Sequence, residues 1–161
     1  MKKMKPFISK YRQGMALAVL LLALIAAPAL ALAGKGAEAD HYVVFTAEQM
    51  QHLTLPQLDG PYWTPPPEVI AEVERRLPGY VNVYAPKYNK KLKGDLAQYK
   101  RQYLGYTLAG RKMVYVNAFC ADFDRWRHAF IWVYGGGECF FQVSYDPQAK
   151  MFFMFTINGE L

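Results

Sequence analysis

Between Tyr99 and Asn158 the apolar residues recur at every second position in several short runs, the spacing of half-buried strands. The clearest run is Cys139-Phe140-Phe141-Gln142-Val143-Ser144-Tyr145, with Cys139, Phe141, Val143 and Tyr145 on one side and Gln142 and Ser144 on the other. Tyr99 to Leu108 alternates in the same way, and Ala109-Gly110 makes a hairpin turn into Met113 to Phe119. Phe130 to Tyr134 reads as a further strand, and Gly135-Gly136-Gly137 as a permissive turn before Cys139. Asp146-Pro147-Gln148-Ala149 is the last turn and Met151 to Asn158 the last strand. Short links between successive strands predict an antiparallel meander.

The period changes upstream. Val69, Ile70, Val73 and Leu77 form one stripe at helical spacing, with Glu68, Glu72, Glu74, Arg75 and Arg76 elsewhere around the helix. Proline fits a first helical turn, so Thr64-Pro65-Pro66-Pro67 predicts a start near Pro66, and Pro78-Gly79 predicts the end. Tyr80 to Pro86 reads as a short strand, and Tyr88 to Asp95 as a polar turn or a brief helical segment. His41 to Thr46 reads as a short strand or a packed segment, and Asp59-Gly60-Pro61 as a turn.

One helix followed by four or more meandering strands predicts an α+β fold, with the helix packed on a curled antiparallel sheet. A helix covers one face of a sheet only. If the face carrying both cysteines is the covered one, Met113, Tyr115, Phe119, Phe140, Phe152 and Met154 point to the other, beside Asn117, Gln142 and Ser144. So large an apolar surface calls for a cover: the segment from His41 to Trp63, a second copy in a homodimer, an apolar ligand or a protein partner.

The N-terminus changes the meaning of the charge. Lys2, Lys3, Lys5, Lys10 and Arg12 precede an apolar run from Met15 to Leu32, and Ala31-Leu32-Ala33 forms a small-x-small cleavage signal. Residues 1–33 therefore read as a signal peptide, residues 34–64 as an extended N-terminal segment and residues 65–161 as a single α+β domain. The location implied is periplasmic or secreted, with membrane contact only through an uncleaved leader. The leader holds five of the nineteen basic residues and none of the thirteen acidic ones, leaving fourteen against thirteen. A net charge of +1 on the mature chain argues against nucleic-acid binding by bulk charge. Lys87, Lys90, Lys91 and Lys93 then read as a solvated turn.

In an exported chain, the two cysteines predict one disulfide, Cys120 to Cys139. It would close a ring of 20 residues, worth roughly 3 kcal/mol through loop-closure entropy. The alternative is a small exported enzyme with a Cys120/His128 centre, backed by Asp122 or Asp124. The loop from Asp122 to His128 admits two further readings. Asp122 and Asp124 are either paired carboxylates or calcium ligands, or they belong to a surface loop anchored by Phe123 and Trp126 whose Arg125 and Arg127 pair with the aspartates. His41, His52 and His128 are scattered without metal-ligand spacing, and no phosphate loop, nucleophile elbow or dinucleotide fingerprint occurs. No metal or cofactor is called for.

Asn117-Ala118-Phe119-Cys120, the run from Gly135 and Gly136 through Cys139-Phe140-Phe141 to Asp146, and the ending Asn158-Gly159-Glu160 resemble a group of small exported bacterial proteins to which no activity is attached. The order of helix then sheet also resembles cystatin-type folds, which implies an inhibitor or binding module. The Gln-x-Val-x-Gly loop of that family is absent. Together these patterns lead to an expectation of a non-enzymatic exported binding or accessory module acting through the aromatic sheet face and the loop with Asp122, Asp124, Trp126 and His128.

Overall fold

The computed structural model describes residues 40–160, apart from 54, 56, 57, 59, 89, 90 and 93. The expected signal peptide and cleavage site, with Asp59, Lys90 and Lys93, lie outside the described residues. A five-stranded sheet runs in the order β1 (Tyr42–Val44), β2 (Lys100–Leu108), β3 (Arg111–Phe119), β4 (Phe140–Asp146) and β5 (Met151–Ile157). Strands β2 to β5 form the expected antiparallel meander, whereas β1 pairs in parallel with β2, Tyr42 opposite Arg101 and Val44 opposite Tyr103. The fold is α+β with a mixed sheet.

A short helix α1 (Ala47–Met50) follows β1, capped reciprocally by Thr46 and Gln49. The main helix α2 (Pro67–Tyr84) buries Ile70, Val73, Leu77 and Val81 along one stripe. They meet Tyr103, Val114, Val116, Ala118, Phe141, Val143, Tyr145 and Phe155 on the sheet, all in one buried cluster. Pro78 lies inside this helix, so Pro78-Gly79 is not its end and Tyr80 to Pro86 is not a strand. An interior proline costs about 3 kcal/mol. Continuing the stripe offsets that cost: Val81 and Ala85 are buried, and the Tyr80 ring stacks on Tyr84 at 4.2 Å and meets Phe152 at a tilt, 4.8 Å between centres.

Polar chemistry also ties α2 to β2. Arg101 donates to both carboxylate oxygens of Glu74, at 2.7 and 3.0 Å, and to the Tyr99 carbonyl at 2.7 Å. The Tyr103 hydroxyl donates to the same carboxylate. Burial pushes the Tyr103 hydroxyl well above the usual tyrosine range and the Glu74 charge adds to this, while Arg101 pulls the other way. For Arg101, burial acts to lower the value, but the bonds and charge of Glu74 and Tyr103 outweigh it and the net direction is up. The buried guanidinium is therefore matched by a forked carboxylate and backbone oxygens.

The second face of the sheet is covered by the chain itself. Phe45, Met50, Leu55 and Leu58 pack on Leu104, Tyr106, Met113 and Tyr115. Past this cover the chain returns to the edge of β2 at Trp63, whose backbone N–H donates to the Gly105 carbonyl at 3.0 Å. A Cβ on Gly105 would lie 2.3 Å from the Trp63 carbonyl oxygen, so only glycine admits this approach. The remaining cover is residues 120–139, the connection from β3 to β4. Phe130 to Tyr134 is thus not a strand but an irregular layer lying on the sheet.

Two further expectations are corrected. Met113, Tyr115, Phe119 and Phe140 do share the face opposite α2, yet all four are buried beneath these covers. Phe152 belongs to the other side: it pairs with Tyr145 and packs on Tyr80 beneath α2. A bulge is the reason. Ser144 faces Phe153 and Gln142 faces Thr156, so Met154 and Phe155 both sit opposite Val143, and the parity of β5 changes between Phe153 and Thr156. Met154, at φ 53°, remains on the second face and is 56 % exposed.

Replacing Glu74 by Ala leaves Arg101 buried without its anion, and urea unfolding should show a loss of about 3 kcal/mol. Adding Arg101→Met should cost at least about 1 kcal/mol less than the sum of the single changes. Strict additivity would show that the pair does not couple helix to sheet.

Candidate functional site

Polar residues interrupt the second face in a single row. The register places Gln102 opposite Asn117, Asn117 opposite Gln142, and Gln142 opposite Thr156 across four strands. Gln102 and Asn117 are buried, so their amides need partners within the protein. They find them in each other and in the covering connection. Asn117 Nδ2 donates to Gln102 Oε1 at 3.1 Å and to the Ile131 carbonyl at 2.7 Å. Gln102 Nε2 donates to the carbonyls of Trp126 and Ala129, at 2.6 and 2.8 Å, and its Oε1 accepts from the Ile131 N–H at 2.8 Å. Two side-chain amides thus do for residues 126–131 what a neighbouring strand would otherwise do. Asn158 repeats the device, donating to the carbonyls of Val133 and Gly135 at 2.6 and 2.9 Å.

The ends of this connection are joined covalently. Cys120 and Cys139 form the expected disulfide, with Cα atoms 5.1 Å apart, and the Cys120 N–H donates to the Cys139 carbonyl at 2.9 Å. Cys139 does not share the helix-covered face. It sits in a 3-10 turn (Gly137–Cys139) and packs with Phe119, Trp126 and Phe140, because β4 begins only at Phe140. The bridge occupies the Cys120 sulfur, so a Cys120/His128 centre has no thiol in this form.

The loop from Asp122 to His128 divides. Trp126 is buried, with Arg127 4.3 Å and Lys100 5.8 Å from its ring centre, and the Phe123 ring meets Phe119 at 5.3 Å. Those aromatics anchor the loop as expected, but the ion pairs differ. Asp122 pairs with Lys100, whose hydrogen bond and charge hold its carboxyl below the ordinary value. Arg127 instead donates to the backbone carbonyls of Asp40 and Tyr42. Asp124 and His128 are exposed, and no three metal-binding side chains come together among the described residues.

Where the connection climbs away from β4 and β5, it leaves a cleft of about 180 Å³. Its floor is Asn117, Gln142, Ser144 and Thr156; its walls include Tyr115, Trp132, Tyr134 and Met154. No lining side chain carries a formal charge. Asn117 and Ser144 are engaged, Ser144 by the Tyr106 hydroxyl at 2.8 Å. Gln142 makes one long bond to Asn117, at 3.5 Å, and the hydroxyls of Tyr115 and Thr156 make none among the described residues. Burial, with Tyr106 adding, pushes the Tyr115 hydroxyl well up, so it stays protonated as a neutral donor and acceptor. The indole N–H of Trp132 is buried without an acceptor. Tyr134 is 75 % exposed at the rim. Three hollows of about 250 to 300 Å³ around α2 are more open, and two of them are bordered by charged groups that already have protein partners.

Of the residues singled out by sequence, Tyr115 and Met154 line this cleft, with Asn117, Gln142 and Ser144 beneath it. Met113, Phe119 and Phe140 are core, Phe152 is on the other side, and Asp122, Asp124 and His128 do not contribute to its lining. Trp132, Tyr134, Thr156 and Asn158 went unrecognised as site residues. The available signal was polar residues recurring at matched positions in otherwise apolar strands.

No family model, curated protein or solved structure matches this chain.

Reduction of the disulfide should free the covering connection before the sheet. Limited proteolysis is expected to cut between Ala121 and Glu138 at least tenfold faster after reduction, with stability lower by roughly 3 kcal/mol. Unchanged resistance would mean that the bridge does not retain the cover.

Proposed function

We propose that the protein is an exported, non-enzymatic binding module, and that its ligand seats in the cleft between Trp132–Tyr134 and strands β4 and β5. The observation that carries this reading is the uncharged lining of aromatic rings and under-used amide and hydroxyl groups. Such a mixture suits recognition, since an apolar enclosure supplies binding energy and a few polar groups fix orientation. Its hydroxyls have no general base among the lining residues, and it offers no acid–base pair or anion-stabilising charge. The basic and apolar start of the sequence, with its small-residue cleavage signal, supports export. A disulfide is compatible with an oxidising compartment, and no described helix is long and apolar enough to cross a membrane.

This reading narrows the site expected from sequence. In place of an open aromatic face for a protein or apolar ligand there is a small cleft, because Phe45, Met50, Leu55, Leu58 and the connection 120–139 occupy most of that face.

A panel of uncharged fragments titrated into the exported protein should shift backbone and indole NMR signals of Trp132, Tyr134, Gln142 and Thr156 together. Tyr134→Ser should weaken the best fragment about fivefold, the equivalent of one aromatic contact of roughly 1 kcal/mol. Shifts confined to the hollows around α2, or none anywhere, would refute the site.

A further inference from the structure

Resting on the binding-module reading, we infer that the cleft is a subsite for one uncharged sugar ring of a glycan chain. A phosphate, carboxylate or amine ligand asks for a countercharge, and no lining side chain supplies one. An alkyl chain would satisfy the rings of Trp132 and Tyr134 but would bury the Gln142 amide and the hydroxyls of Tyr115 and Thr156 without partners, which is costly.

A pyranose ring answers both demands. Its hydroxyls donate and accept, as the Gln142 amide and the two protein hydroxyls do. Its axial C–H groups form an apolar patch that stacks on the electron-rich face of an aromatic ring. The volume, about 180 Å³, is below the range of whole drug-sized ligands, roughly 300 to 1,000 Å³, which fits a single ring rather than an oligomer. The chain to which that ring belongs can leave past Tyr134 and Met154, 75 % and 56 % exposed at the rim.

Trp132 adds an independent indication. Its indole N–H is the one buried side-chain polar atom without a partner among the described residues, and such orphans in a folded protein ask for an explanation. Trp132 also lines the cleft, so the orphaned donor and the cleft wall belong to the same residue.

Binding to the exported protein would be measured by calorimetry and by the Trp132 indole NMR signal. Four probes are needed: cellotriose, the trimer of N-acetylglucosamine, trigalacturonate and decanol. One or both of the neutral trisaccharides should bind, and which one does reveals whether an acetamido group is wanted. Gln142→Met should weaken that binding about tenfold and Tyr134→Ala about fivefold, while amide signals of β2 and β3 stay in place. Trigalacturonate binding as tightly as the neutral sugars would overturn the uncharged specificity. Decanol alone shifting the cleft signals would overturn the sugar assignment and leave a binding module for apolar ligands. No probe binding at all, together with no fragment shifts at the cleft, would overturn both.

Discussion

The buried amide pair Gln102 and Asn117 is the constraint on which the rest of the second face depends. Each sits in the middle of an apolar strand, where an unpaired amide would cost about 1 to 3 kcal/mol. Apart from one long bond from Gln142 to Asn117, their partners are the backbone of residues 126–131 and each other. The penalty for leaving them bare therefore favours the connection lying on the sheet over peeling away. An irregular chain gains the definition of a strand without pairing along a sheet edge.

The other stabilising features support this contact. The disulfide shortens the unfolded connection and brings its ends to the point where β3 stops and β4 starts. The rings of Phe119, Phe123, Trp126 and Phe140 fill the space beneath its first half. On the opposite face, the Glu74, Arg101 and Tyr103 cluster fixes α2 against β2, the same strand that carries Gln102. Both layers are thus referenced to β2, and the cleft appears at the far end, where the amide row reaches Gln142 and Thr156 and no longer has a cover to bind.

Much of this architecture was legible. Period-two runs located β2 to β5 and the 3.6-residue stripe located α2; parity grouped Val114, Val116, Phe141 and Val143 on one face, which α2 covers, but alternation alone left open which face that would be. The failures have separate causes. Pro78 reads locally as a stop, but Val81 and Ala85 continue the buried stripe and override it. Phe152 was misplaced because a bulge is invisible to alternation. Phe130 to Tyr134 is an unbroken apolar and aromatic run because the layer half-buries it against the sheet, not because it pairs in the sheet. The cleft was half visible: Asn117, Gln142 and Ser144 stood out as polar residues on an apolar face, but their matching row appears only once the register is known.

The most direct test of the account is amide hydrogen exchange at Ile131, whose N–H belongs to no strand and donates only to the Gln102 side chain. Ile131 should be protected at a level close to β3. In Gln102→Met, which keeps the shape and removes the amide, that protection should fall at least tenfold while Val114 and Val116 exchange as before. Rapid exchange at Ile131 in the unaltered protein, or protection that survives the substitution, would show that the connection is held by something other than the buried amides.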